Sequence, residues 1–166
     1  MRLALLAGGT GGAKLAAGTQ ELLGADLAVI ANTADDVRVH GLHVSPDPDL
    51  VTYWLAGVID EERGWGIRDD GFVACEWLER LGAPGWFRLS DRDLATCLYR
   101  THFIAEGGSR TAAQRQIAQS LGAAARVLPM SEDPVTTRVL TSAGWRDLQE
   151  FLIVGRSEAA IERVEG

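Results

Sequence analysis

Four aspartates, two histidines and a serine crowd one stretch of this chain: Asp35, Asp36, His40, His43, Ser45, Asp47 and Asp49. Carboxylates on a flexible loop are the hard oxygen ligands that magnesium takes, an ion that keeps several waters and bridges phosphate oxygens. Asp35 and Asp36 follow Asn32, whose amide both donates and accepts and so suits a base or ribose edge. A solvated turn built on the aspartates is the plainer reading of the same residues. His40 and His43 sit in a loop broken by glycine and proline, and their spacing does not make a zinc site. Asp49 stands directly before an apolar segment, where it either caps a helix or offers its carboxylate to a metal or a hydroxyl group.

The N-terminus carries a different chemistry. An apolar run ends at Ala7 and breaks into Gly8, Gly9, Gly11 and Gly12 around Thr10, and helix formers follow from Ala13 to Leu23. A buried strand, a side-chain-free loop and a helix N-terminus aim free N–H groups and the positive end of a helix dipole at one spot, which suits a phosphate. Thr10 and Lys14 would help to hold it. The spacing is not that of a Walker loop, and Lys14 stands where a dinucleotide fingerprint needs a small residue. Asn32, rather than a carboxylate for an adenosine ribose, ends the second strand.

Three further groups carry polar or aromatic chemistry. Trp65 lies between Gly64 and Gly66, where an exposed ring would stack on a planar ligand and a buried one would fill a gap. Ser90 and Asp93 have the spacing of a capping box, which leaves Arg92, a rigid fork suited to phosphate or carboxylate, unexplained. Residues 128–134 end a strand in hydroxyl and carboxylate groups.

These residues need elements that bring their loops together. Arg2–Ala7 and Leu27–Ala31 read as buried strands flanking the first helix, a βαβ unit with parallel strands. The loops after both strands then leave the same sheet edge and share a crevice. Leu50–Ile59, Gly71–Leu81, Asp91–Ile104 and Ala112–Leu121 read as helices, and Arg126–Leu128 as a strand. Thr136–Leu140 and Leu148–Val154 read as a hairpin around Ser142-Ala143-Gly144. The expected class is α/β: a Rossmann-like three-layer domain over residues 1–166, with a mostly parallel sheet and a helical insertion, incomplete at its C-terminal end.

Bulk properties narrow the functions. A net charge of -7 with no basic cluster argues against nucleic acid, and it implies that bound phosphates need a cation or a local positive pocket. No apolar run reaches a membrane span, and the N-terminal one is too short for a signal core. Cys75 and Cys97 fit no metal spacing and read as reduced thiols, so the chain is expected in the cytoplasm.

Taken in series, residues 8–15, 32–36, 40–47, Asp49, 63–67, 90–96 and 128–135 resemble the 2-phospho-L-lactate transferase family of coenzyme F420 biosynthesis. The resemblance implies transfer of a phospholactyl or phosphoenolpyruvyl group from a guanosine diphosphate-linked donor to the ribityl hydroxyl of the deazaflavin FO, with release of GMP and a need for magnesium. It implies that Gly8, Gly9, Thr10, Gly11, Gly12, Lys14 and Asn32 hold the nucleotide diphosphate. Asp36 and Asp49 would place magnesium. Asp49, Trp65, Asp91, Arg92 and Asp93 would meet the acceptor, Asp49 also orienting or deprotonating the attacking hydroxyl. It implies small-molecule substrates and a homodimer for the full-length protein, of which this chain matches the N-terminal half. The alternatives are an NAD(P)- or flavin-dependent Rossmann oxidoreductase, marked by retained NADP, and a non-enzymatic nucleotide-binding regulator, marked by nucleotide binding without turnover of FO.

Overall fold

The computed structural model describes residues Met1–Gly166. Its centre is a parallel three-stranded sheet. Strand β1 (Leu3–Ala7) leads into helix α1 (Gly9–Leu23), which returns through a short 3-10 turn to β2 (Leu27–Ala31). Leu3 pairs with Leu27 and Ala7 with Ala31. A hairpin of β3 (Val37–Val39) and β4 (Leu42–Val44) precedes α2 (Pro46–Leu55). Helices α3 (Val73–Arg80), α4 (Asp91–Ala105) and α5 (Arg110–Leu121) follow, and β5 (Arg126–Pro129) then pairs with β2 on the side away from β1. The chain finishes in an antiparallel sheet ordered β7-β6-β8, from β6 (Arg138–Thr141), β7 (Gly144–Asp147) and β8 (Arg163–Glu165), with α6 (Leu148–Ile153) between the last two strands in sequence.

Strand alternation decides what the sheet buries. Leu27, Val29 and Ala31 of the central strand, with Ala7 and Val127 beside them, pack on Ala13 and Ala16 of α1, Val51 and Leu55 of α2, and Ala118 of α5. Small residues let α1 lie close: a Cβ on Gly12 would sit 3.0 Å from the Ala7 Cα. The opposite face carries Leu6, Ile30 and Leu128 in register, and Leu6 there is 77% exposed. A second core of Val39, Val44, Cys75, Phe87, Leu89 and Cys97 ties the β3–β4 hairpin to α3 and α4. No helix is long and apolar enough to cross a membrane.

The α/β class and the parallel strands are as the sequence led us to expect, and three boundaries differ. Helix α1 begins at Gly9, so the glycines form its first turn rather than a loop before it. First-turn amides need no partner within the helix, so weak helix formers are tolerated there. Helix α2 begins at Pro46, because the missing N–H groups of Pro46 and Pro48 cost nothing in a first turn. Leu148–Ile153 is a helix rather than a strand, the ambiguity inherent in a short apolar run.

Gly12 and Gly11 make a matched test of this packing. Gly12→Ala should destabilise the chain by roughly 1–3 kcal/mol through overpacking against Ala7. Gly11→Ala meets nothing within 4 Å and should be neutral or stabilising by about 0.5–1 kcal/mol. Urea denaturation midpoints of the two variants check the pair.

Candidate active site

The N-terminus of α1 meets the acidic loop directly. The Gly9 amide donates to Asp47 Oδ1 at 2.7 Å, while no side chain of the helix's own N-cap residue covers its first turn. The amides of Thr10 and Gly11 have no partner within the helix. Asn32 organises the neighbours: its Nδ2 donates to Asp47 Oδ2 at 3.0 Å and, at 3.4 Å, to Asp35 Oδ1. Its Oδ1 accepts from the Ala34 amide. The structure therefore brings Gly8–Gly12, Asn32 and the aspartates together, with Asp47, a member of the acidic cluster given no role of its own from the sequence, as the link. Lys14 points elsewhere, its ammonium 5.2 Å from the centre of the Trp54 ring.

Too many carboxylates share this corner. Asp35 accepts from Gln149 Nε2 at 2.9 Å, yet its pKa is pushed up to about 7, by burial first and then by the charge of Asp47. Asp36 Oδ2 lies 3.0 Å from His43 Nε2 and 3.4 Å from Arg110 Nη1, and its buried Oδ1 has no partner. No three acidic, histidine or cysteine side chains converge as a preformed metal site. The crowding and the orphaned oxygen fit a divalent cation whose shell a ligand's phosphates complete, the usual habit of magnesium. His43 is absorbed by Asp36 and Ser45 Oγ.

Asp49 is not a helix cap. It lies within the first turn of α2, and its Oδ1 accepts from Arg100 Nη2. Arg100 is 2% exposed, and it also donates to the His43 carbonyl and to Gln114 Oε1. Gln114 Nε2 in turn donates to the Pro48 carbonyl at 3.2 Å and to Thr52 Oγ1 at 2.9 Å. Burial pushes the Asp49 carboxyl up, and the guanidinium opposes that push. Nothing in the sequence marked Arg100 as the partner of Asp49, 51 positions away.

A cavity of about 520 Å³ opens beside these carboxylates. Tyr53, Trp65, Trp86, Phe87, Arg88 and Leu89 supply walls, and Asp47, Asp49 and Asp93 reach into it. Gln149 and Ile153 of α6 also line it. Trp65 packs edge-on to Phe72 at 6.1 Å, with the Arg63 guanidinium 5.2 Å from each ring centre. Tyr53 donates to Asp93 Oδ1 at 2.6 Å. Burial, and then the Asp49 charge, push the Asp93 carboxyl up to about 6.

The capping box expected at Ser90 does not form. The buried Ser90 Oγ has no partner, and Asp93 serves Tyr53 instead. Capping is exchanged between helices: Asp91 accepts from the Val73 and Ala74 amides at the start of α3, and Asp70 accepts from the Arg92 amide at the start of α4. Of the three residues Asp91–Asp93, only Asp93 lines the cavity, and the Arg92 side chain is turned to the Arg68 carbonyl. Tyr53, Trp86, Phe87 and Arg88 carried no motif signal in the sequence.

Residues 3–165 match the family model described as 2-phospho-L-lactate transferase CofD. The chain is 45% identical over 154 residues to the 2-phospho-L-lactate transferase of Methanopyrus kandleri, covering 92% of this chain and 49% of that protein. It is 44% identical over 141 residues to the phosphoenolpyruvate transferase of Streptomyces griseus, covering 84% and 44%. A crystal structure of a UPF0052 family member from Bacillus halodurans shares the fold, with a TM-score of 0.56 and 17% identity over 99% of this chain and 50% of its own. The chain thus spans about half the length of the curated relatives it matches.

Two outcomes follow from the buried charges. Arg100→Met strands the Asp49 carboxylate and should cost about 3–5 kcal/mol in urea denaturation, a loss that Arg100→Met with Asp49→Leu partly restores. Asp35 keeps its proton to about pH 7 in the folded chain but only to about 4 when unfolded. The folded state then binds the extra proton between those values, so its contribution to stability declines as pH rises through that window. Asp35→Asn should flatten the decline between about pH 4 and 7, read as thermal midpoints at successive pH values.

Proposed function

Because the chain belongs to the 2-phospho-L-lactate transferase CofD family, we propose that it carries the acceptor cavity and diphosphate loop of an enzyme of F420 biosynthesis. That enzyme moves a phospholactyl or phosphoenolpyruvyl group from a guanosine diphosphate-linked donor to the ribityl hydroxyl of the deazaflavin FO. The observation that carries the reading is a shared wall: Asp47 both lines the aromatic cavity and binds the first amide of α1. A planar ligand with a polyol tail fits between Trp65, Trp86 and Phe87 at one end and the carboxylates at the other. A diphosphate at the α1 amides would then meet the tail of that ligand.

In this reading the hydroxyl oxygen bonds to the phosphorus that bears the acid group. The bridging P–O bond breaks, and its electron pair leaves on the phosphate of GMP. The hydroxyl proton passes to a carboxylate at the cavity's acidic end, and Asp49, fixed by Arg100, orients the hydroxyl. Of the two expected metal residues, Asp36, with its unpartnered Oδ1, is the one that would help to hold magnesium, an ion that neutralises charge building on the phosphate oxygens when bound, whereas Asp49 is paired with Arg100. Thr10 and Gly11 amides add fixed dipoles at the same place. A cytoplasmic homodimer of the full-length protein belongs to the same reading.

Titration with FO should quench tryptophan fluorescence and saturate, and Trp65→Ala should weaken binding about fivefold to tenfold. Absence of any FO binding would remove the acceptor assignment. In a full-length protein carrying this sequence, Asp49→Asn should lower turnover on the order of a hundredfold while nucleotide affinity stays nearly unchanged. Unaltered turnover would take Asp49 out of the mechanism.

A further inference from the structure

The unit that holds β6, β7, α6 and β8 is lightly fastened to the rest of the chain. Within residues 137–166 the three strands bond to one another. Two hydrogen bonds reach the α/β body: the Thr137 amide donates to the Ala34 carbonyl at 2.6 Å, and Gln149 Nε2 donates to Asp35 Oδ2 at 2.9 Å. Both land on adjacent residues of the turn after β2. Val139 and Phe151 are buried, yet no apolar side chain of the unit joins the cores of the body.

The segment leading into the unit is equally bare. Glu132 is held by the Arg110 and Thr111 amides at the start of α5. Pro134, Val135 and Thr136 then make no hydrogen bond before the unit begins. Such a junction between two hydrogen-bonded bodies is where backbone rotation costs least.

The unit's helix nevertheless walls the cavity. Gln149 and Ile153 of α6 line it together with Trp65 and Trp86 of the body. Ile153 is still 44% exposed there, so the wall is seated without being sealed, and an apolar ligand in the cavity would cover it. Gln149 both lines the cavity and holds Asp35, whose other oxygen accepts from Asn32 Nδ2. The side-chain tie of the wall therefore ends at the acidic corner.

We infer that residues 137–166 form a lid over the cavity, hinged at Pro134–Thr136 and latched by Gln149 on Asp35. Latched, α6 walls the cavity and shields its carboxylates from water. Released, the unit swings on its hinge and opens the way in. Asp35 shares Asn32 with Asp47, which binds the first amide of α1. A diphosphate seated at those amides would arrive beside the residues that hold the latch. What the lid encloses rests on the acceptor cavity proposed above; its motion does not.

Distances between paired spin labels test the motion in the whole chain without ligand. Both native cysteines are buried. Glu158→Cys on the unit is labelled against Gln119→Cys on α5 and, separately, against Glu21→Cys on α1, three exposed positions. With Gln149 present, each pair should give one main distance. Gln149→Ala and Asp35→Ala should each raise the open-to-closed ratio about tenfold, the worth of a hydrogen bond to a carboxylate, seen as a second distance in at least one pair. Asp35→Asn, whose amide oxygen still accepts, should stay near the wild type. Amides of the β6–β7 ladder should keep their protection from hydrogen exchange in all three variants, because a lid moves as a body. Distances unmoved by both alanine variants overturn the latched lid. So does loss of ladder protection, which would show the unit unfolding rather than swinging. FO should shift the alanine variants back toward the closed distance. A unit that moves but ignores FO supports the lid and counts against the acceptor reading alone.

Discussion

A buried guanidinium holds this site in shape. Arg100 lies almost wholly out of solvent on α4, and a charge so placed is tolerated only when paired and hydrogen-bonded. Its partners are the Asp49 carboxylate, the His43 carbonyl and the Gln114 amide oxygen. Those three lie on α2, β4 and α5, so one side chain fixes the relative positions of four elements. Gln114 extends the grip to Pro48 and Thr52, and Thr101, next to Arg100, accepts from the His43 amide. The segment from His43 to Asp49 has little choice of conformation once these bonds are made. Pinning that segment places Asp47 at the start of α1 and Tyr53 one turn farther along α2.

The opposite constraint acts a few ångströms away. Asp35 and Asp47 gather around the Asn32 amide, and burial first, then the Asp47 charge, raises the Asp35 pKa. Arg110 and His43 answer for one oxygen of Asp36 and leave the other bare. Folding alone would favour removing such carboxylates. One carboxylate is thus compensated internally by Arg100, whereas Asp36 keeps an oxygen with no partner.

What could be read in the chain follows from distance along it. β1, α1 and β2 were legible because their apolar runs and glycine punctuation are local. The gathering of the glycine turn, Asn32 and the acidic loop at one sheet edge was legible because parallel strands leave no other arrangement. The start of α2 was not, since Pro46 and Pro48 signal a loop until the structure shows both in a first turn. The capping box at Ser90 and Asp93 met the right spacing, but Asp70 and Asp91 outcompeted it by capping across helices. Arg100, Tyr53 and Arg88 were invisible for a different reason. Each sits in an ordinary stretch of sequence and acquires its role only from residues 40 or more positions away or from a cavity wall.

The site also depends unequally on the two faces of the parallel sheet. α1, α2 and α5 cover one face, and Gly9, Asp47, Asp49, Arg100 and Gln114 all belong to that side. The other face presents Leu6, Ile30 and Leu128 with no helix of this chain over it. Strands of parallel sheets ordinarily bury both faces. The acid loop and the cavity therefore take their geometry from packing on the covered face. An uncovered face lowers the stability of the sheet as a whole, but it leaves the Arg100 network, and the carboxylates that the network aims, under purely local control.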